Sequence, residues 1–514
     1  MSSDDSVDTI IIGAGPAGLT AGVELVRAGR KDVILVEASA HMGGLARTFD
    51  YKGNRIDIGP EAFVSESAWV MNWWRGMLPV ALPPDAGDEK TFRRDRPGTW
   101  PLLGPGAPMP TEAGDALLLR QRRSHIRFDD IAIDLPPPAG AQLARMLGPG
   151  ASARAALDVT RARLWPIRPE RSLADYLVNR FGRTLYLRFF KPHAEKWWGL
   201  PCEEIAAACG PTCVAELSPA APVDTMLYPK RGSGQMWEAA AKRFEAGGGR
   251  ILRRTRLVGV EREGDRIVAV SIEAQLGAVL RLAPRNLIST IPLKELAIIM
   301  QADLPDFIGS IGTQLQYRAI ICVGVLYRRL RNPRAAEAEV GPGMQAVDDC
   351  TIHVQDVRFK VARVQIVNNW SPHMVADPGT AWLGLEYFAR EDEGLWSMSD
   401  AALKALALRE MQKLGLADEA DALDATVLRV PRAAPAYYGY AYEHFTDLRA
   451  HLDGIRNLWL AGRSGMHRQG HQDLAMLTAR RAVEAIVAGR SDKSAVWNAG
   501  SELDPEGRTG NPSS

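Results

Sequence analysis

The chain has 514 residues, 46% of them hydrophobic and 24% charged, a composition typical of a globular protein with two or three domains. Its 62 basic and 61 acidic residues leave a formal charge of +1, which indicates neither a nucleic-acid-binding surface nor a polybasic membrane anchor. Without a secretory cleavage pattern or an apolar stretch of about 18 residues, we expect a cytoplasmic protein with no integral membrane segment and a small-molecule substrate. The composition leaves the oligomeric state open.

The first predicted elements form a β-α-β unit. A short β-rich apolar run covers Asp8–Ile12, helical spacing follows over Leu19–Ala28, and Lys31–Glu37 is predicted to be a second strand. This order predicts the opening of a dinucleotide-binding fold.

Three glycines between the first strand and the helix form a GxGxxG motif. Gly13 permits a tight turn, Gly15 lets the backbone approach a pyrophosphate, and Gly18 lets the helix pack on the sheet. Glu37 ends the second strand, where its carboxylate can accept hydrogen bonds from both ribose hydroxyls. A glycine motif alone is weak, but the glycines with Glu37 indicate a bound dinucleotide.

A second glycine motif follows the second strand. The run His41–Arg47 contains paired glycines followed three residues later by an arginine. It resembles the second fingerprint of the glutathione-reductase-type FAD family, notably its amine oxidase and protoporphyrinogen oxidase branch. The resemblance implies FAD rather than NAD, with the glycines beside the pyrophosphate. The run Ile56–Glu61 resembles the segment that passes near the isoalloxazine ring in the same branch.

The middle of the chain is predicted to form a cap. Proline and glycine crowd residues 78–110 and mark long connections, and a helical pattern returns over Leu173–Phe190. Strands are predicted between residues 251 and 290, and longer ones of an antiparallel sheet at Gln314–Tyr327, Val361–Asn368 and Trp382–Phe388. The five cysteines have no paired CxxC spacing, so we expect reduced thiols and no metal site.

The C-terminal part is predicted to complete the cofactor domain. Leu403–Leu414 has the pattern of an amphipathic helix, Asn457–Ala461 that of a strand, and Leu474–Val487 that of a helix. The strand and its GlyArg turn resemble the family's final strand, and the dipole of the last helix would face flavin N1 and O2. Residues 491–514 are polar and are expected to form a disordered tail.

These segments predict an α/β fold with a glutathione-reductase-type Rossmann FAD domain and a discontinuous α+β substrate (cap) domain. The FAD domain would comprise residues 1–75, 231–300 and 431–490, and the cap residues 76–230 and 301–430. The residues expected to bind FAD are Gly13, Gly15, Ala17, Gly18, Glu37, Gly43, Gly44, Arg47, Gly59, Pro60, Leu257, Val258, Gly462, Arg463, Asp473, Leu474, Ala475 and Met476.

The resemblance extends over about residues 7 to 490 and leaves the reaction open. Further segments, among them Arg123–Ile126, Tyr228–Lys230 and Asn369–Pro372, resemble a bacterial subgroup. This subgroup lies between protoporphyrinogen-oxidase-like proteins and UDP-galactopyranose mutases. The chain keeps the mutase residues Gly462, Arg463 and Asp473, but has His467 and Gln469 where the mutases have two tyrosines that hold the diphosphate. This difference weakens the prediction of UDP-sugar binding.

Three functions are therefore considered: an FAD-dependent oxidoreductase that removes a hydride from a small organic substrate, a mutase-like sugar isomerase that uses reduced FAD, and a non-catalytic flavin-binding protein. The GlyPro pair at Gly59 and the missing tyrosines favour the oxidoreductase. His467 and His471 are the candidate proton acceptors, since histidine titrates near neutral pH. Arg463 is the candidate ligand for an anionic substrate group, or else forms a salt bridge within the fold.

Overall fold

The computed structural model describes residues 6–59, 62–81, 91–92, 100–101, 114–121, 123–128, 131–134, 144, 147–217, 225–331 and 347–500. The strands, in chain order, are β1 (Ser6–Ile12), β2 (Val33–Glu37), β3 (Thr48–Tyr51), β4 (Asn54–Asp57), β5 (Val80–Ala81), β6 (Thr91–Phe92), β7 (Trp100–Pro101), β8 (Leu117–Gln121), β9 (Ser124–Phe128), β10 (Ile131–Asp134), β11 (Thr225–Pro229), β12 (Arg250–Arg253), β13 (Thr255–Glu263), β14 (Arg266–Ala274), β15 (Val279–Ser289), β16 (Tyr317–Tyr327), β17 (Thr351–Val354), β18 (Arg363–Ile366), β19 (Ala381–Ala389), β20 (Ala422–Pro435) and β21 (Leu458–Leu460).

The α-helices, in chain order, are α1 (Pro16–Arg27), α2 (Ala68–Met77), α3 (Pro149–Leu164), α4 (Leu173–Leu185), α5 (Lys191–Trp198), α6 (Gly210–Leu217), α7 (Gly234–Ala246), α8 (Leu293–Ile299), α9 (Asp306–Gln314), α10 (Val367–Trp370), α11 (Gly394–Ser397), α12 (Asp400–Lys413), α13 (Tyr440–Glu443), α14 (Phe445–Asp453), α15 (Gly462–Gly465), α16 (Gln472–Val487) and α17 (Ser494–Trp497).

The N-terminal β-α-β unit lies in a sheet whose parallel part has the order β12-β2-β1-β15-β21. Ile10 and Ile11 of β1 are fully buried, as expected for a central strand covered on both faces. Helices α1, α7 and α16 contribute buried side chains to the same hydrophobic core. The α/β class expected from the sequence is confirmed.

One strand, β15, joins two kinds of pairing. Its first residues pair antiparallel with β14, which pairs with β13, whereas its later residues run parallel to both β1 and β21. The first strand, β1, and the last strand, β21, therefore lie on either side of β15. This arrangement brings residues near 13 and near 462 to the same edge of the sheet.

The cap contains a second sheet with the order β10-β9-β17-β18-β19-β16-β20. Its neighbours run antiparallel, except that β9 and β17 run parallel. Strand β19 is buried along its whole length, and α12 packs against β16 and β20. Helices α3 to α6 form the helical part of the cap, in which the π-helical turn Tyr186–Phe190 follows α4.

Two predicted strands differ in their bounds from the structure. The domain boundary at residue 431 stays a prediction, and it falls within β20, which pairs with β16 along its length. The strand predicted from Gln314 starts at Tyr317, because Gln314 ends α9. The strand predicted over Val361–Asn368 is reduced to β18, because the chain turns into α10 at Val367.

The expected disordered tail does not begin at residue 491. Residues 494–497 form α17, and Trp497 is only 3% exposed. The Nζ group of Lys493 donates hydrogen bonds to the carbonyl oxygens of Leu452, Asp453 and Ile455. Residues 493–497 are therefore packed against the fold by buried side chains and by the hydrogen bonds of the Lys493 ammonium group. Residues 501–514 lie outside the described part of the chain.

Within the described ranges, no helix is long and apolar enough to cross a membrane. In the same ranges, no cluster of three or more His, Cys, Asp or Glu side chains has the arrangement of a metal site. The five cysteines are buried free thiols.

Candidate flavin and substrate site

The first glycine motif forms a tight turn at the carboxyl end of β1. The N–H of Gly13 donates to the carbonyl of Val36 at 2.8 Å, and Gly13 has a φ of +100°. A Cβ at Gly18 would lie 1.8 Å from the carbonyl oxygen of Gly13, so only glycine fits there. Helix α1 starts after Gly15 with no side-chain cap and no acidic residue in its first turn. Its N-terminal N–H groups are therefore suited to an anion.

The two glycine motifs face each other. The N–H of Gly43 donates to the carbonyl of Ala14 at 2.8 Å. A Cβ at Gly44 would lie 3.0 Å from the Cα of Gly15. The two backbones thus approach without side chains between them, which is the geometry that a pyrophosphate bound along the backbone requires.

Glu37 is placed for a ribose by two backbone hydrogen bonds. Its Oε2 accepts from the N–H of Ala14 and its Oε1 from the N–H of Ser39, each at 2.8 Å. Each carboxylate oxygen keeps a further lone pair for a ribose hydroxyl. Arg47 lies over the ring of Phe49 at 4.4 Å, and burial lowers the pKa of its guanidinium while Glu37 opposes that shift.

Strand β13 offers backbone at the expected adenine position. The pairing of β13 with β14 shifts between Leu257 and Gly259, which leaves Val258 in a bulge. Leu257 is buried and Val258 is 37% exposed. Backbone groups in a bulge are left out of the strand ladder, so Val258 suits contact with a base.

The C-terminal segment lies against the first glycine motif. Gly462 has a φ of +79°, and a Cβ there would lie 2.8 Å from the Cβ of Ala17. Its N–H donates to the Oγ1 of Thr478 at 2.9 Å. Asp473 accepts a hydrogen bond at 2.8 Å from the hydroxyl of Ser65, which connects α16 to the segment after β4.

A small pocket with a volume of about 10 Å³, enough for one water molecule, lies where this turn meets the start of α16. Nine residues line it: Gly462, Arg463, Met466, Arg468, Gly470, His471, Leu474, Ala475 and Thr478. Met476 is fully buried behind them. The predicted residues Arg463, His471, Leu474 and Ala475 are therefore together in one place.

His467 does not have the position expected of a proton acceptor. Its side chain is 2% exposed, and its ring lies within 4.9 Å of the Tyr317 ring and 5.6 Å of the Phe445 ring. Nε2 lies 3.1 Å from the carbonyl oxygen of Ala436; because a carbonyl only accepts, the proton belongs on Nε2. Burial lowers the pKa of His467 to about 4. These contacts favour a packing role for His467, and its catalytic role stays a prediction.

Glu386 is a buried carboxylate that connects the cap to the segment near Gly59. Its Oε1 accepts from the N–H of Gly59 at 3.0 Å and from the Nε2 of Gln365. Its Oε2 accepts from the Nε and Nη2 of Arg363 at 2.7 and 2.5 Å. The guanidinium of Arg363 also lies over the rings of Trp197 and Phe388. Pro60, the other residue predicted in this segment, lies outside the described ranges.

Sequence reasoning missed this pair of charges. A signal existed, because Arg363 and Glu386 interrupt two apolar strands, and a charged residue inside such a strand needs a buried partner.

A cluster of apolar side chains joins segments predicted to bind flavin to strands of the cap sheet. We name this set the apolar junction, and its buried members retain between 0 and 9% of their surface. It comprises Ile58, Ile320, Ala362, Phe388, Val430 and Ala433, with Leu45, Phe49 and Trp197 packed against them. Arg463 contacts the apolar junction, because its Nη2 donates a hydrogen bond at 2.9 Å to the carbonyl oxygen of Ala433.

Together the fold and the site define a Rossmann-type flavoprotein with a substrate cap. The chain belongs to the family of flavin-containing amine oxidoreductases, whose sequence profile matches residues 16–487. FAD is its cofactor, and the opposed glycines, the uncapped helix and the Glu37 carboxylate fit that molecule. The chain is thus a member of a family of flavin-dependent oxidoreductases.

Solved structures share this fold at low sequence identity. A reduced UDP-galactopyranose mutase has a TM-score of 0.74 at 17% identity, covering 96% of this chain and 97% of its own. A proposed protoporphyrinogen oxidase from Exiguobacterium has a TM-score of 0.64 at 16% identity, covering 95% and 100%. Wild-type putrescine oxidase bound to putrescine has a TM-score of 0.59 at 14% identity, covering 94% and 99%.

Curated relatives match shorter stretches. Coproporphyrinogen III oxidase from Mycobacterium tuberculosis is 24% identical over 184 residues, which is 35% of this chain and 35% of that protein. An inactive all-trans-retinol 13,14-reductase from Danio rerio is 46% identical over 55 residues, 11% of this chain and 9% of that protein. The chain thus spans about a third or less of the length of these relatives.

Proposed function

We propose that this protein is an FAD-dependent oxidoreductase that removes a hydride from a small organic substrate held between the Rossmann domain and the cap. The observation that supports this proposal is the apolar junction, because apolar side chains beside the segments predicted to bind flavin exclude water and favour a hydrophobic substrate. FAD, when bound, supplies the acceptor for the hydride. The amino acid residues bind and orient the substrate and take up the released proton.

His471 is the proton acceptor in this proposal. It is exposed, precedes the first turn of α16 and lines the pocket that Arg463 shares. A histidine in that position can accept the proton that leaves nitrogen or oxygen when a hydride is removed. Arg463, held by the carbonyl of Ala433, would orient a polar group at the apolar junction.

The residues in place of the mutase tyrosines support oxidation over sugar isomerisation. His467 is enclosed by aromatic rings. Gln469 donates through its N–H to the hydroxyl of Tyr437 at 2.6 Å and through Nε2 to the carbonyl of Pro435. Both side chains are thus engaged within the fold, and neither supplies the phenol that a diphosphate would need there.

The test is an anaerobic stoichiometry measurement on the holoprotein. Primary amines, porphyrinogens and partly saturated hydrocarbons are supplied one class at a time while flavin absorbance is followed. One equivalent of substrate oxidised per flavin reduced would support the proposal. Turnover of a nucleotide sugar only after dithionite reduction, with the flavin reduced throughout, would overturn it in favour of the mutase. Bound flavin that none of these compounds reduces or engages would indicate a binding protein.

His471→Ala tests the assigned proton acceptor. We expect flavin reduction by the substrate to slow by about 10²-fold, the usual scale for a lost general base, while FAD stays bound. His444→Ala is the matched control, because that ring packs on Phe307 and Tyr440, outside the pocket. An unchanged rate in His471→Ala would remove this residue from the proposed chemistry.

A further inference from the structure

The helical part of the cap exposes large apolar side chains. Leu157 is 71% exposed, Leu164 63%, Trp165 73%, Ile167 42% and Leu187 46%. We name these five residues the cap patch. Single exposed apolar residues are ordinary, whereas several on neighbouring elements indicate an interaction surface.

The backbone holds most of this patch in a defined shape. Leu157 and Leu164 lie seven residues apart, on one face of α3, and the helix ends at Leu164 so that Trp165 follows at its end. The N–H of Ile167 donates to Asn179 Oδ1 at 2.8 Å, and Asn179 Nδ2 donates to the carbonyl of Ile167 at 2.9 Å. The loop that carries Trp165 and Ile167 is therefore fixed against α4.

The same region concentrates positive charge. Residues 149–188 contain eight arginines and three acidic residues, although the chain as a whole is almost neutral. The acidic residues have partners within the cap: Asp158 accepts from the N–H and hydroxyl of Thr184, Glu170 pairs with Arg180, and Asp175 caps α4. Arg154, Arg161 and Arg163 on α3, and Arg168 and Arg171 after it, are exposed.

We propose that the cap patch docks the protein onto an anionic lipid surface. Tryptophan and leucine flanked by arginine are typical of elements that lie in the membrane interface, where the apolar groups enter the headgroup boundary and the cations meet anionic lipids. A second copy of the chain fits poorly, because a two-fold contact would set the arginines of each patch against those of the other. The exposed side chains touch lipid without any helix crossing the bilayer.

The experiment is vesicle flotation of the full-length holoprotein. We expect binding to vesicles of 30% phosphatidylglycerol in phosphatidylcholine, little binding to pure phosphatidylcholine, and release at 0.5 M salt, where surface charges are screened. Arg161→Gln with Arg163→Gln should weaken binding by about thirty-fold, the effect of two cations near a charged surface. Trp165→Ala should also weaken binding. Bound FAD should be unchanged in both variants, since these side chains are exposed.

Matched controls come from the opposite domain. Leu276→Ala removes a side chain that is 97% exposed on the β14–β15 turn, and Arg285→Gln removes an exposed cation of β15. Neither change should alter flotation. Equal binding to both kinds of vesicle, or equal loss in the control variants, would overturn the proposal.

Two further outcomes would also overturn it. If the protein floats with neither vesicle but binds polyglutamate through Trp165 and the arginines, the patch serves an acidic protein. If sedimentation shows an oligomer that Trp165→Ala dissociates, with no flotation, the patch joins two copies of the chain.

Discussion

Replacing His467 with phenylalanine should flatten the dependence of stability on pH. Burial holds the folded-state pKa of His467 at about 4, against an ordinary value of 6.5. Because the folded pKa is depressed, the unfolded chain binds more protons between these values, so stability falls as pH falls from 6.5 towards 4. Over the whole window the loss is about 3 kcal/mol, and at pH 4.5 it is about 2.5 kcal/mol.

The His467→Phe variant lacks the titrating imidazole. As the pH falls, its unfolding free energy should therefore decrease only by the contribution of the other titratable residues. At pH 7.5 we expect it to be less stable by about 1–3 kcal/mol, because the carbonyl of Ala436 loses its donor. The phenyl ring keeps the contacts with Tyr317 and Phe445. The difference in unfolding free energy between the two proteins should therefore shrink or change sign at pH 4.5.

The measurement is urea unfolding of both proteins at pH 7.5 and 4.5, with FAD saturating. His444→Phe is the matched control, since its ring is 35% exposed, and it should follow the wild type at both pH values. A wild type and His467→Phe variant that lose stability in parallel would refute the reasoning. Normal flavin reduction by substrate in the folded variant would agree with a packing role.

Three other changes test the site. Gly18→Ala should destabilise the fold by about 3 kcal/mol or more, because its Cβ would overlap the carbonyl of Gly13, and thermal unfolding would measure the loss. Glu37→Ala should weaken FAD binding by about 10- to 100-fold in a flavin titration, since two backbone donors and the ribose lose their acceptor. Glu386→Gln should cost about 3 kcal/mol in urea unfolding, because it leaves the guanidinium of Arg363, whose side chain is 20% exposed, without its carboxylate.

Two of these changes have a control that separates them from a general effect. Gly76→Ala adds a Cβ on α2 with no atom within 4 Å and should be nearly neutral. Glu238→Ala removes an exposed carboxylate of α7 and should leave FAD affinity unchanged. If Gly18→Ala melts with the wild type, or Glu386→Gln unfolds at the wild-type urea concentration, the packing argument for that residue fails.

Local backbone requirements made the cofactor predictable from the sequence. The GxGxxG turn, the second glycine pair and Glu37 are specified by steric and hydrogen-bonding demands within about 40 residues of chain. The parallel pairing of β1 with β2 was also predictable, because a β-α-β unit that opens a dinucleotide-binding fold places its two strands side by side.

The chemistry near Gly59 was not predictable in the same way. The Arg363–Glu386 pair depends on the register between β18 and β19, which the sequence pattern does not fix. His467 follows Arg463 closely along the chain, yet its φ of +47° turns it into an aromatic cluster whose other members come from residues 317 and 437–445. Side-chain direction in such a loop depends on distant partners that only the folded chain brings together.

The pairing of the first and last strands through β15 has a consequence for biosynthesis. Arg30 donates a hydrogen bond to the carbonyl of Ile486, which lies 456 residues further along the chain. A ribosome that adds about 5–20 residues per second needs roughly 25 to 90 s between these two points. During that interval the emerging Rossmann segment lacks the turn at Gly462 and α16, so we expect it to bind FAD weakly. We therefore expect FAD to be captured after synthesis, and a chain truncated upstream of β21 to purify without flavin absorbance.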